Sequence, residues 1–240
     1  MNNSDQKNIA KTGKWVALST SLMVLISFSF AILTTPKAGT NCTGSCVSYP
    51  YKDISKFFPF DYLWMILMSI AIMIYLLLFT VIHYNTSSSR KIFSQFAMNF
   101  AVLTTLTLVL DYFVQVLVIQ ASITNGEYEG IALLTQFNPH GIFIALEVIG
   151  YLFMVISFVF LIPAIEGKTK EEKWIRITLQ ISIVGSIVSL IVFYTIYGID
   201  TGYRFEVAVI FFTWTALIII GFLFYRYFKN KEIGSLLHGN

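Results

Sequence analysis

YLWMILMSIAIMIYLLLFTVIHY, residues 62–84, is a run of 23 residues without a single Lys, Arg, Asp or Glu. The hydrocarbon core of a bilayer is about 30 Å thick, a distance that a helix of roughly 20 apolar residues crosses. Inside hydrocarbon the backbone hydrogen bonds must close within the segment itself, so this run predicts a transmembrane α-helix. Five further apolar stretches of similar length flank it, at residues 15–35, 96–120, 141–165, 177–198 and 205–228.

The composition of the whole chain agrees with this interpretation. Of its 240 residues 56% are hydrophobic and 12% are charged, whereas a soluble domain carries about 25% charged residues. The first stretch is longer than the 7–15 residues of a signal-peptide core, so we expect the protein to retain it. The polar connections are too short to form a separate core. We therefore expect residues 1–240 to form one all-α domain, a polytopic integral membrane protein with six transmembrane helices in an antiparallel bundle.

The distribution of Lys and Arg predicts the orientation of the helices, because cytoplasmic loops carry an excess of both residues. With the amino terminus inside, twelve basic residues fall on the inner side and four, Lys37, Lys52, Lys56 and Arg204, on the outer side. Both termini are therefore expected in the cytoplasm, in a protein of the cell membrane whose main partner is the lipid bilayer. The net charge of +3 follows from this bias and indicates no nucleic-acid partner.

The chain contains two cysteines, Cys42 and Cys46, and both lie in the first predicted outer loop. The outer face of a cell membrane is oxidising, and the three small residues between the cysteines let their Cα atoms reach bonding distance. We therefore expect a disulfide. A redox pair is the alternative, but redox motifs separate their cysteines by two residues rather than three.

Two acidic side chains lie inside the predicted helices, Asp111 in the third and Glu147 in the fourth. An ionisable group there costs about 2.5–3.5 kcal/mol on insertion scales and usually faces a bundle interior or water. At 1.5 Å per residue, Asp111 lies roughly 14 Å and Glu147 roughly 10 Å from the outer helix ends. Gln115 and Tyr151 follow these acids by four residues and share their helix faces. His140 stands two turns above Glu147.

These five residues predict an outward-facing polar pocket between the third and fourth helices, in which the acids bind a ligand and the other three residues orient it or gate its entry. No Lys or Arg lies in the core of a predicted helix. A proton, a bound cation, a small cationic molecule or neighbouring hydrogen-bond donors must therefore neutralise the acids. The alternative is that both acids are packing groups, hydrogen-bonded between helices. Asp61 and Glu206 lie near the outer helix ends and are weaker candidates.

Few other chemistries fit the sequence. His83 and His140 fall at opposite ends of the predicted bundle and cannot share a haem or a metal ion, and no zinc, Walker or dinucleotide motif occurs. No cofactor and no metal site are therefore expected. The leading hypothesis is a protein that binds or transports a small or lipid-like ligand. The alternatives are an intramembrane enzyme that uses the carboxylate pair and a non-catalytic accessory subunit, with an oligomer forming through small residues of the fifth helix, Ser182, Gly185, Ser186 and Ser189.

Overall fold

The computed structural model describes residues 3–34, 36–39, 42–44 and 46–237 and places six long helices in them. They are α1 (Asn3–Leu33), α2 (Leu63–Asn85), α3 (Lys91–Phe113), α4 (Ile142–Ala164), α5 (Lys170–Tyr197) and α6 (Arg204–Leu237). Each belongs to a segment long and apolar enough to cross a membrane, and the described residues form no β-strand. The predicted all-helical class and the six apolar helices are confirmed. Thr35, the predicted last residue of the first stretch, lies outside the described residues.

Several helices extend beyond the apolar stretches that predicted them. α1 begins at Asn3 rather than at residue 15, and α6 continues to Leu237 rather than ending at residue 228. The added turns are rich in polar residues, because hydropathy marks only the part of a helix that needs an apolar environment. α3 continues without a break through a π-helical turn, Val114–Ile119, and a further α-helical turn, Gln120–Thr124.

At one end of the bundle, which we call the disulfide end, the loop that carries the two cysteines meets the loops before α4 and α6. Tyr203 connects all three: its ring packs against Gly39, and its hydroxyl donates a 3.0 Å hydrogen bond to the carbonyl oxygen of Gln136. The Sγ atoms of Cys42 and Cys46 are joined, and their Cα atoms are 5.9 Å apart.

At the opposite end, which we call the terminal end, the start of α1 and the end of α6 meet the two shorter connections. Lys14 of α1 forms an ion pair with Glu232 of α6, and Lys231 donates to the side-chain oxygen of Asn85 at the end of α2. Arg90, just before α3, donates to a backbone carbonyl in the last turn of α4 at 2.7 Å. Successive connections therefore lie at alternate ends, and the chain passes through the bundle six times.

Small residues determine where helices approach each other closely. A Cβ atom added to Gly221 of α6 would lie 2.9 Å from the carbonyl oxygen of Ala17 in α1. A Cβ atom added to Gly150 of α4 would lie 2.5 Å from the side chain of Leu108 in α3. Since helices in lipid associate mainly through close packing, these two contacts tie α1 to α6 and α3 to α4.

The small residues of α5 pack within the same chain. Gly185 lies against the ring of Phe212 in α6, Ser182 donates to the carbonyl oxygen of Phe212 at 3.1 Å, and Ser186 is buried. Two members of the stripe that predicted a partner surface, Ser182 and Gly185, thus pack against α6. The exposed face of α5 consists of branched apolar side chains instead, among them Ile181 and Val184.

Candidate functional site

A directed chain of hydrogen bonds joins α6, α4 and α3 in the interior of the bundle. Trp214 donates its indole N–H to the hydroxyl oxygen of Tyr151 at 2.8 Å. The hydroxyls of Tyr151 and Tyr112 are 2.8 Å apart, and Tyr112 donates to Oε1 of Glu147 at 2.6 Å. A phenol has one proton, and Tyr112 uses its proton on Glu147, so Tyr151 is the donor between the two tyrosines. The chain therefore begins at the indole and ends on a carboxyl group.

Three carboxyl groups, those of Asp111, Glu147 and Glu206, surround the end of this chain, and we call them the acidic cluster. Glu147 is fully buried, while Asp111 and Glu206 are 2% and 8% exposed. The side chains of Glu147 and Glu206 interact, and the charge of Asp111 interacts with both glutamates. One oxygen atom of each carboxyl group receives no hydrogen bond from a described residue. A buried polar atom without a partner costs about 1–3 kcal/mol, so this arrangement is expensive for the fold.

The acidic cluster has the composition of a cation site but not the geometry of a metal site. Within the described part of the chain, no group of three or more His, Cys, Asp or Glu side chains is placed to hold a metal ion. The charges that act on Glu206 are those of Glu147 and Asp111, and both are negative. No positive charge of a described residue is among those that act most strongly on the two glutamates.

A cavity of about 540 Å³ opens beside the acidic cluster at the disulfide end. Its walls come from α1, α2, α6 and the first turn of α4, and its roof comes from the loops before α2, α4 and α6. Much of the lining is aromatic or aliphatic, including the rings of Phe28, Trp64 and Trp214. Glu206 also lines the wall, so one member of the acidic cluster is reached directly from the cavity.

The residues that α1 and α6 present to each other become larger toward the disulfide end. Near the middle of both helices, Gly221 lies against Ser21, and the hydroxyl of Ser21 donates to the carbonyl oxygen of Ile218. Closer to the disulfide end the facing residues are large, and the ring of Phe28 packs edge-on against Trp214 with centroids 5.6 Å apart. Small residues therefore let the two helices touch near their middle, whereas large rings lie between them beside the cavity.

The opening of the cavity is apolar. Ile32, Val207 and Phe211 line it and are 69%, 52% and 51% exposed. All three lie on helical segments long and apolar enough to cross a membrane, so lipid chains would lie against this opening in a bilayer. The exposed part of the cavity lining is therefore apolar on both α1 and α6.

The roof of the cavity is polar. Asp61 and Lys37 line it, and their opposite charges interact, while the ammonium group of Lys37 lies 5.4 Å from the centre of the Phe57 ring. Tyr203 lines the cavity as well. Burial raises the pKa of the Tyr203 phenol above its ordinary value, so this hydroxyl stays a neutral hydrogen-bond donor.

The structure brings together three of the five residues predicted to bind a ligand. Both predicted acids belong to the acidic cluster, and Tyr151 belongs to the hydrogen-bond chain that ends on it. Gln115 is buried, but its amide donates to the carbonyl oxygen of Leu134 at 2.6 Å and accepts from the backbone N–H of Gln136 at 2.8 Å. Gln115 therefore holds the loop that forms part of the roof, and Gln136 of that loop lines the cavity.

His140 and the cavity lie elsewhere than the sequence predicts. Nε2 of His140 pairs with Oδ1 of Asp200 at 2.8 Å, and His140 lines a separate surface groove together with Arg204. The cavity lies among α1, α2, α6 and the start of α4, not between α3 and α4. The interface between α3 and α4 is closed because Gly150 lets the side chain of Leu108 approach the α4 backbone.

Sequence reasoning ranks Glu206 below the other acids and does not single out Tyr112 or Trp214. The sequence offers two ordinary explanations for Glu206, an ion pair with Arg204 and a favourable place at a helix N-terminus. In the structure the Arg204 guanidinium stacks on an aromatic ring of α5 at 4.1 Å, and Glu206 contacts Glu147. A comparison of depth across all six helices could have found this pair, since both glutamates lie within two turns of the starts of their helices.

Comparison with known proteins assigns no family to the chain. No protein-family model, no curated protein and no solved structure matches it.

Proposed function

We propose that the protein binds a lipid-like ligand, an amphiphile with an apolar body and a small polar head group, in the cavity at the disulfide end. One observation carries this proposal: a cavity of about 540 Å³ has an apolar opening on the side of the bundle, a polar roof and a carboxyl group in its wall. Ligand sites in proteins typically measure about 300–1,000 Å³ and combine an apolar lining with a few polar groups. The cavity has both properties.

Each part of the cavity matches one part of such a ligand. The rings of Phe28, Trp64 and Trp214 offer large apolar faces to a hydrocarbon chain or ring system. Asp61 and Glu206 each have a buried carboxyl oxygen that receives no hydrogen bond from a described residue, so both can accept from a head group. A purely apolar ligand would leave these acceptors unsatisfied, and a purely polar ligand would leave the rings against water. An amphiphile satisfies both.

We place the disulfide end outside the cell and both termini in the cytoplasm of a protein of the cell membrane, which the excess of Lys and Arg on the terminal side supports. A disulfide between Cys42 and Cys46 is consistent with an oxidising exterior. The cavity would then receive its ligand from the outer leaflet of the bilayer.

Fluorescence provides a direct test, because two of the four tryptophans, Trp64 and Trp214, line the cavity. Trp15 and Trp174, which are 55% and 51% exposed, are replaced by Phe so that only the cavity tryptophans emit. Titration of this detergent-purified protein with a brominated alkylamine should quench its fluorescence saturably, since bromine quenches only at short range. Quenching that rises without saturation, as expected for probe dissolved in the micelle, would contradict the proposal.

Val207 and Val188 provide a matched pair of variants, because both are 52% exposed valines and only Val207 lines the cavity. Val207→Phe adds a ring at the opening and should raise the half-saturating probe concentration about tenfold, equivalent to about 1.4 kcal/mol. Val188→Phe, on the exposed face of α5, should leave this concentration unchanged. Equal effects of the two variants would exclude the cavity as the binding site.

A further inference from the structure

We infer that Glu206 and Glu147 together hold one exchangeable proton, and that a ligand with an ammonium head group displaces this proton when it enters the cavity. The inference rests on the proposed function and names its class of ligand. Its starting point is the position of the two acids: Glu206 lines the cavity, and Glu147 is enclosed directly behind it.

The hydrogen-bond chain indicates where the proton lies. Two deprotonated carboxylates have acceptors but no donor, so the contact between the two glutamates needs one proton. Glu147 already receives the hydroxyl proton of Tyr112, at the end of a chain of donors that begins at Trp214. Hydrogen bonds donated to a carboxylate favour its charged form. The negative charge is therefore assigned to Glu147 and the proton to Glu206, the member that the cavity exposes.

The surroundings of the pair favour a positive charge at this place. Within the described part of the chain, the charges that act most strongly on Glu206 are those of Glu147 and Asp111, and the charge of Lys37 acts on Asp61. The titratable groups around the pair and in the cavity wall come from α3, α4 and the loops before α2 and α6. They are the phenols of Tyr112, Tyr151 and Tyr203, the carboxyl groups of Asp111 and Asp61, and the ammonium group of Lys37.

An ammonium group can take the place of the proton without a change in buried charge. Before binding, the two carboxyl groups and one proton carry one negative charge. After binding, two carboxylates and one ammonium group also carry one negative charge, so no net charge is added to the interior. One proton is released into the cavity for each ammonium group bound. A fatty alcohol of the same length brings no charge to exchange, and a fatty acid adds a further negative charge.

The first measurement tests the shared proton without any ligand. At neutral pH the infrared spectrum of the purified protein should contain the carbonyl band of a protonated carboxyl group that shifts in D₂O. Glu206→Gln and Glu147→Gln should each remove this component, because an amide N–H then donates between the two side chains. Glu129→Gln, in the exposed loop before α4, is the control and should leave the band unchanged. If neither Glu206→Gln nor Glu147→Gln changes this band, the two glutamates do not share a proton.

The second measurement tests the exchange. A brominated alkylamine, which is charged at neutral pH as a lysine side chain is, is titrated into weakly buffered wild-type protein while tryptophan quenching and proton release are followed together. We expect about one proton released per ligand bound and none from Glu206→Gln or with the brominated alcohol of equal length. Saturable quenching without proton release overturns the exchange and leaves the proposed function standing. Absence of saturable quenching overturns the proposed function, and the infrared spectrum then decides the shared proton independently.

Discussion

The two ends of the bundle differ in how fully their charged side chains are supplied with hydrogen-bond and ion-pair partners. At the terminal end, charged groups that join helices have partners: Lys14 pairs with Glu232, and Arg90 donates to two backbone carbonyls at the end of α4. At the disulfide end, three buried carboxyl groups face one another beside a cavity, each with an oxygen that receives no hydrogen bond from a described residue. Polar groups that only stabilise a fold are usually satisfied within it. Carboxyl oxygens that receive no hydrogen bond and lie beside a cavity therefore make the disulfide end the candidate place for a ligand.

The largest expected effect is a loss of stability when the close contact between α1 and α6 at Gly221 is overpacked. Gly221→Val places methyl groups against the Ala17 carbonyl and Ser21, where a Cβ atom alone would lie at 2.9 Å. Overpacking of this kind costs about 1–3 kcal/mol, so the melting temperature in detergent should fall by several degrees. Ala31→Val, in the lining of the cavity, should change stability by less than about 0.5 kcal/mol. Equal melting temperatures for the two variants would mean that the packing around Gly221 is no tighter than the packing at the cavity.

Smaller changes in the free energy of unfolding are expected when two buried glutamates, one toward each end of the bundle, are replaced by glutamine. Oε2 of Glu172, at the terminal end, accepts from the backbone N–H groups of Lys168 and Thr169 at 2.8 and 2.9 Å in a capping box. Glu172→Gln weakens these charge-assisted bonds and should cost about 0.5–1 kcal/mol. Glu147→Gln supplies a donor to the acidic cluster and should leave stability unchanged or raise it by up to about 1 kcal/mol.

Thermal unfolding of both variants at neutral pH checks this comparison, with wild-type protein measured under the same detergent conditions. A loss in Glu147→Gln as large as the loss in Glu172→Gln would identify the Glu147 carboxyl group as a packing element. The two ends would then not differ in how they hold a buried acid.

The smallest expected change in melting temperature follows from the loss of an exposed ion pair at the terminal end, between Lys168 and Glu166. The hydrogen bond and charge of Lys168 lower the pKa of the Glu166 carboxyl group. A group whose pKa is lowered by folding stabilises the fold above its unfolded-state pKa of about 4.3, and this contribution is lost as the pH falls through the folded-state value. Glu166→Gln should therefore lower the melting temperature slightly at neutral pH and not at all in strong acid. A difference that persists in acid would have another cause than this ion pair.

The number, length and approximate position of the helices could be predicted because hydropathy is a local property. Residues 62–84 cross a bilayer whatever the rest of the chain does, since their own backbone hydrogen bonds close within the segment. Asp111 and Glu147 could be singled out because an acid inside an apolar run costs free energy of insertion, whichever helices surround it.

Which helix faces meet was decided only by the tertiary structure. In a soluble protein a polar stripe marks the face that points away from the core, but in a bilayer both faces of a helix are apolar, and the periodicity that would reveal its rotation is weak. The contact between Glu206 and Glu147, the place of Gln115 beneath the roof, and the cavity beside α1 rather than between α3 and α4 all depend on that rotation. The sequence by itself determined a six-helix chain with acids in apolar surroundings. Packing of glycines and rings between distant helices decided that these acids meet, and that one of them reaches a cavity.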